Sequence, residues 1–315
     1  MQRGEVQRAV PLKLAAHQQR RWRLRKRQFW VDVVFLLPAL TTFTLFFVYP
    51  VLSSFYYSLT DWNGLDPNTH FIGGANFVKL LSDRAVWEAF RNTLVFALLV
   101  TVFQNLLGLL LALGLDGSLR FLHALRVLFL VPTLLSALAI GYIWNFLYDP
   151  NFGFINSLLS AIGLDSLAQD WLGNPHLALF SLIATHTWQW VGISMIIYLA
   201  GLQAVPTELH EAASIDGANT WQRFSRITFP LIAPSFTVNV VLTMIGTLKV
   251  FDIVFVMTKG GPGGATETLA TMLYRTAFNL NNMGYGTAIA IVMFLFILVL
   301  SIVQLRMLRK RELEA

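Results

Sequence analysis

Pro206-Thr207-Glu208-Leu209-His210-Glu211-Ala212-Ala213-Ser214-Ile215-Asp216-Gly217-Ala218-Asn219-Thr220-Trp221-Gln222-Arg223-Phe224-Ser225-Arg226-Ile227-Thr228-Phe229-Pro230 is a polar island between two long apolar segments. Its local chemistry predicts two short helices. Thr207, after Pro206, is suited to cap the first, and Glu208 suits the positive end of its dipole. Gly217 can take a positive φ and end that helix. Asn219 caps the second, with Gln222 completing a capping box, and Pro230 limits it. Ala212 and Ala213 are small enough to admit a second surface, to which Glu211 offers a charge. The same features suit a solvated hairpin lying on a membrane, so local chemistry leaves two readings open.

The segments on either side are apolar for much longer than a soluble core helix needs. Six windows hold no Asp, Glu, Lys or Arg: residues 33–60, 92–115, 127–148, 177–207, 227–248 and 285–305. A membrane-crossing helix takes about 20 such residues. Six windows predict an all-α, polytopic membrane protein with six transmembrane helices. Composition agrees: 56% of the 315 residues are hydrophobic and 13% charged, against about 25% charged in soluble domains. The basic run at residues 20–27 precedes a window too long for a cleavable signal peptide, so the first window is read as a retained span.

An even number of spans puts both termini on one side. With both cytoplasmic, that side holds 17 Lys and Arg and the outer side five, with Lys249 left inside the fifth window. This is the bias that orients membrane helices. The net charge of +6 therefore reports topology and attraction to anionic lipid, not nucleic-acid binding. The chain then divides into a basic cytoplasmic tail (1–28), a permeating domain (29–310) with its cytoplasmic loop at 204–230, and a C-terminal tail (311–315).

Several classes of function are excluded. There is no cysteine, so no disulfide, thiolate nucleophile or Cys-ligated zinc. The six histidines form no HExxH pair, so no metal site is expected. No GxxxxGK[ST] pattern occurs, and the glycine-rich residues 260–264 lie on the expected outer side, where a turn is the default. The chain should not hydrolyse ATP. In the outer segments, Phe77, Leu80, Leu81, Trp87 and Phe90 predict an interfacial amphipathic helix. These segments either dock an extracytoplasmic partner or cap the bundle.

The string Glu211-Ala212-Ala213-x-x-Asp216-Gly217-Ala218, followed by Phe224, Ile227, Pro230 and Pro234, resembles the EAA loop of ABC-importer permeases. Phe229 stands where that family usually has Leu, an apolar exchange. The resemblance extends over about residues 30–310, through Asp61-Trp62-Asn63, Phe71-Ile72-Gly73, Asn76-Phe77 and the Gly260-Gly261-Pro262 turn. It is closest to the carbohydrate-type permeases, related to the maltose and glycerol-phosphate permeases. It implies a type I ABC importer permease fold and a location in a bacterial or archaeal inner membrane. It also implies a second permease subunit, two ATP-binding subunits and an extracytoplasmic solute-binding protein as partners. The chain itself needs no cofactor; ATP and Mg belong to the ATPase subunits. Residues 207–228 become the coupling loop, acting through Glu211, Ala212, Ala213, Asp216, Gly217, Ala218, Phe224, Ile227 and Pro230.

The same resemblance places solute-facing positions at Thr133, Ala137, Gln189, Trp190, Ile193, Thr243, Gly246, Thr247 and Val250. It marks location rather than chemistry. Charges at membrane depth are costly, so Lys249 and Asp252 join them. These two either pair at i and i+3 on one helix face or face a water-lined cavity. Thr187, Trp188, Gln189 and Trp190 suit sugar handling, since indoles stack on pyranose C–H faces and amides bond hydroxyls; for the tryptophans, bundle packing is the other reading. His186 is expected inside the bundle as a hydrogen-bonded neutral group. An ion-driven secondary transporter is the alternative function, but no internal repeat supports it, and a membrane enzyme lacks any convergent catalytic cluster.

Overall fold

The computed structural model describes residues 32–313 except Pro67 and Ser118, with the side chains of 309–313 left aside. The basic tail expected at 1–28 lies outside these residues, as do the last two residues of the tail expected at 311–315, whose first three continue a helix. The described residues are helical, with one isolated antiparallel bridge, Thr60 to Phe71.

The described residues up to Tyr56 form one unit and those from Tyr57 onward another. In the first, α1 (Asp32–Tyr57) is long and apolar enough to cross a membrane. It contains a π turn at Thr44–Val48, two residues ahead of Pro50. The wider turn relieves the clash between a proline ring and the carbonyl four residues earlier.

The second unit comprises α2 (Ala75–Ser82), α3 (Arg84–Leu115), α4 (Arg120–Leu134), α5 (Ala137–Leu147), α6 (Phe154–Ala161), α7 (Ala178–Gln203), α8 (Thr207–Ile215), α9 (Thr220–Leu231), α10 (Ala233–Leu248), α11 (Asp252–Met257), α12 (Leu269–Tyr274) and α13 (Met283–Leu313). Three helices, α1, α3 and α13, are each long and apolar enough to cross a membrane; with three bent pairs counted as one span each, the number reaches six.

Two expected windows are not straight helices. The window 127–148 is broken into α4 and α5, bent by 100°. Leu135 (φ −82°, ψ 144°) and Ser136 (φ −65°, ψ 149°) are extended, three residues after Pro132, and Ser136 Oγ restarts the helix by accepting from the Ala139 N–H at 3.2 Å. The fifth window bends by 68° between α9 and α10, around Ile232 and Pro234. Pro230 does not end the second helix of the loop as expected. It follows a π turn at Phe224–Thr228, the arrangement also seen before Pro50. The amphipathic helix expected within 61–91 is two helices, because Asp83 stops α2 and caps α3 through the Ala85 N–H. Trp87 and Phe90 therefore belong to α3.

The core is built on α3 and α7, the most extensively packed pair. Gly108 makes the close approach possible: a Cβ there would lie 2.6 Å from Ser194 Cβ. One apolar cluster joins Phe96 and Val100 of α3, Ile140 of α5, Leu182 and Ile183 of α7 and Val254 of α11. A second joins Ala112 and Leu115 to Met195, Tyr198 and Leu202, with Ile232. Several polar side chains inside this packing are paired: Gln104 Nε2 donates to Ser194 Oγ at 2.9 Å, Ser194 Oγ to Asn239 Oδ1 at 3.1 Å and Tyr198 OH to Asn105 Oδ1 at 2.7 Å. Buried polar groups need such partners, and these bonds fix the rotational setting of α3, α7 and α10.

The residues following α1 form a small clasp. Buried Asn76 donates to the Ser58 and Thr60 carbonyls, both at 2.9 Å. The Ile72 N–H bonds the Leu59 carbonyl at 2.9 Å. The His70 backbone N–H donates to Asp61 at 2.7 Å and holds that carboxyl below its ordinary range.

Candidate functional site

Two places gather the residues singled out from the sequence. The first is the hairpin α8–α9. Gly217 has φ +77°. Its N–H bonds the Ser214 carbonyl at 3.2 Å, while the Ala218 N–H bonds the Ala213 carbonyl at 2.9 Å. This is the double closure of a Schellman motif, and it turns the chain directly into the next cap. There Asn219 Oδ1 accepts from the Gln222 N–H at 2.9 Å and Gln222 Oε1 from the Asn219 N–H at 2.8 Å, completing the expected capping box. Thr207 is the first residue inside α8 rather than its cap; that position is taken by Pro206, whose fixed φ suits entry to a helix. Arg223 Nη1 donates to Ser214 Oγ at 3.0 Å and ties the two helices together.

The hairpin is locked from within and open outward. Ala213 is buried, whereas Glu211, Ala212, Asp216 and Gly217 are exposed. Ile215 is 87% exposed and Trp221 72%. Phe224, Ile227 and Pro230 are half-buried at the base. From there a run of rings leads inward: Trp221 to Phe224 (5.8 Å between centroids), Phe224 to Phe229 (5.9 Å), Phe229 to Phe236 (5.7 Å) and Phe236 to Tyr198 (6.4 Å). Tyr198 is fully buried in the α3–α7 core.

The second place is a pair of adjoining cavities against the middle of α7. The larger, about 280 Å³, is lined by Thr133, Ala137, Gln189, Trp190, Gly246, Lys249, Val250 and Asp252, with His186 and Leu135. The smaller, about 180 Å³, is lined by Ile193, Thr243 and Thr247, again with His186 and Trp190, and with Gln104 and Asn239. All eleven positions named from the sequence thus line one or the other.

The larger cavity lies between two interruptions of helix. One is the α4–α5 break at Leu135–Ser136. The other separates α10, which ends at Leu248 with Lys249 as its C-cap, from α11, which starts at Asp252. Irregular backbone in a membrane protein is tolerated where it lines a cavity or is buried in protein. Both breaks are tied back. Gln189, 2% exposed, donates to the Leu135 carbonyl at 3.4 Å, and fully buried Thr268 donates to the Val250 carbonyl at 3.1 Å. Of the two readings of Lys249 and Asp252, the α10–α11 break disfavours i, i+3 pairing on one helix face: Lys249 caps the end of α10, Asp252 starts α11, and no ion pair joins them.

Other side chains also differ from expectation. His186 makes no hydrogen bond within the described residues; its ring meets Phe96 edge-on at 5.4 Å and lies 6.2 Å from Trp190. Trp188 packs edge-on against Trp144 at 5.4 Å, and neither it nor buried Thr187 lines either cavity. Gln104 and Asn239 were missed in the sequence. Their signal is an uncharged polar residue inside a charge-free window, which a search for charges passes over.

An exposed hairpin and a cavity between broken helices, among helices apolar enough to cross a membrane, fit a membrane-transport subunit. The chain belongs to the family of binding-protein-dependent transport system inner membrane components, which matches residues 104–312. A "Probable ABC transporter permease protein" of Pyrococcus horikoshii is 41% identical over 268 residues, covering 85% of this chain and 91% of its own length. The trehalose/maltose transport system permease protein of Thermococcus litoralis is 35% identical over 290 residues, 92% and 97% of the two chains. Among solved structures, a chain of a bacterial alginate ABC transporter, in complex with an alginate pentasaccharide-bound periplasmic protein, superposes with a TM-score of 0.81. It is 26% identical, over 92% of this chain and 98% of that one. The fold is that of a type I ABC importer permease.

Proposed function

We propose that this chain is one transmembrane subunit of an ATP-driven importer for a sugar or sugar-like solute, coupled to its ATPases through the α8–α9 hairpin. The observation that carries the reading is the hairpin itself. It is closed internally by two local motifs, yet leaves Ile215 and Trp221 outward beside the charge of Glu211. Large apolar side chains held rigidly in the open are the anchors of a protein interface. The ring sequence from Trp221 to Tyr198 connects that surface to the α3–α7 core, so a push on the hairpin is delivered to the helix that lines both cavities.

In this mechanism the chain has six spans, with both termini and the hairpin cytoplasmic. A binding protein presents solute at the opposite face, to this subunit and a second permease. ATP closes two partner subunits against the hairpins, and the cavity exchanges one accessible side for the other. The energetic requirement is differential affinity of ATP and solute for the two states. The names of the relatives, taken with the Trp190 indole and Gln189 amide at the cavity, support a carbohydrate as solute.

The test is recovery of partners. The tagged chain is purified from its native membrane in mild detergent, beside the double variant Glu211→Ala, Gly217→Pro, and co-purifying chains are identified by mass spectrometry. Wild type brings down an ATP-binding subunit and a second permease, and the variant loses the ATP-binding subunit. A wild-type chain that purifies alone and transports by itself overturns the reading in favour of an ion-driven transporter.

A further inference from the structure

Lys249 and Asp252 flank the α10–α11 break and line the larger cavity. Both are exposed. Neither side chain has an ion-pair or hydrogen-bond partner among the described residues, and they do not pair with each other. An unpaired charge in the bilayer core costs about 2.5–3.5 kcal/mol on insertion scales, so two that do not pair with each other are not accounted for by packing. The backbone keeps them apart. Residues 249–251 are non-helical, and the Val250 carbonyl between the two is held by buried Thr268. Lys249 is further favoured where it stands, at the negative end of α10.

The remaining polar groups at this cavity are uncharged or neutral at alkaline pH: Thr133, Gln189, the Trp190 indole and His186. The wall therefore carries one positive and one negative charge, both exposed and not paired with each other, with no net charge. We infer that Lys249 and Asp252 are the specificity-determining residues of this subunit's cavity and that they select an uncharged, polyhydroxylated solute. Hydroxyl groups accept from the ammonium and donate to the carboxylate at once. A charged sugar of either sign is attracted by one of the two groups and repelled by the other, so the wall gains nothing from a net charge, whereas neutral hydroxyls satisfy both. The inference rests on the transport reading above and names the solute class for it.

Because the chain has no cysteine, single cysteines report the local field directly. Thr133→Cys, Lys249→Cys and Asp252→Cys are introduced separately in the full complex in nanodiscs. Each is modified at pH 8 with a trimethylammonium and with a sulfonate methanethiosulfonate, both rates normalised to those with free cysteine. Thr133→Cys should show no preference beyond about twofold, because the intact wall is neutral. Lys249→Cys, which leaves Asp252 unopposed, should favour the cationic reagent by about tenfold, and Asp252→Cys the anionic reagent by about as much. A variant that does not assemble is replaced by Lys249→Gln or Asp252→Asn in the Thr133→Cys background, with the same two preferences expected. Failure of either position to react, one sign of preference in all three variants, or a strong preference at Thr133→Cys overturns the inference. Co-purification of the ATP-binding subunit with these same variants is read separately. Its presence leaves the importer reading standing when the labelling fails, and its absence from wild type as well sinks that reading.

Discussion

The hairpin α8–α9 and the cavity beside α7 are both candidate functional regions, but they are built at different ranges. Every bond that shapes the hairpin joins residues close in sequence: Gly217 to Ser214, Ala218 to Ala213, Asn219 to Gln222 and Arg223 to Ser214. The cavity is shaped by bonds across the fold, Gln189 to Leu135 and Thr268 to Val250, and by the contact of Gly108 with Ser194. A local device can be exchanged or broken without disturbing the bundle. A cavity assembled from distant segments shares its determinants with stability.

The sharpest break of this contrast is Gly217→Pro. Proline cannot reach φ +77° and removes the N–H bonded to Ser214, a change on the scale of about 3 kcal/mol in a helical setting. Hydrogen exchange over 207–223 should rise steeply, while the thermal midpoint of the purified chain stays put. A lowered midpoint would mean the hairpin is not a separate unit. Gly108→Val should do the reverse. Overpacking against Ser194 costs about 1–3 kcal/mol, read as a lower midpoint in detergent with exchange in the hairpin unchanged. Asn219→Ala removes one cap, worth about 1 kcal/mol; it should speed exchange only at the first amides of α9. The smallest effect belongs to Gln189→Ala, because its bond to Leu135 is long. We expect about 0.5 kcal/mol, the low end for a hydrogen bond, seen as a slight fall in midpoint and as faster exchange confined to 135–139, where loss of a purely solute-contacting residue would leave exchange alone.

The same difference of range explains what the sequence made legible. The caps and the glycine turn of the hairpin are local chemistry, so they could be read directly, and only the place of Thr207 and the effect of Pro230 shifted. The charge-free windows gave the apolar segments, but hydropathy is blind to backbone geometry. Leu135 and Ser136 are as uncharged as their neighbours, so the 100° break passed for continuous helix. Lys249 and Asp252 stood out by their charge, yet their spacing left pairing on one helix face open beside a cavity-facing role, because the end of α10 at Leu248 could not be seen. The other nine cavity-lining positions came from resemblance to a family rather than from any pattern in the residues. The Gln104–Ser194–Asn239 bonds needed three helices to be in register.

The central claim is that the hairpin is the surface through which ATP acts, and a single-cysteine cross-link tests it most directly. Ile215→Cys, in a chain otherwise free of cysteine, is reacted in native membranes with a short thiol-to-amine cross-linker. Phe152→Cys, also highly exposed and outside the hairpin, serves as the reference. The prediction is an adduct between position 215 and an ATP-binding subunit whose yield changes when ATP is added, with no such adduct from position 152. An ATP-binding subunit that links to position 152, or complexes that contain it yet give no adduct from 215, would contradict the coupling role assigned to residues 207–228.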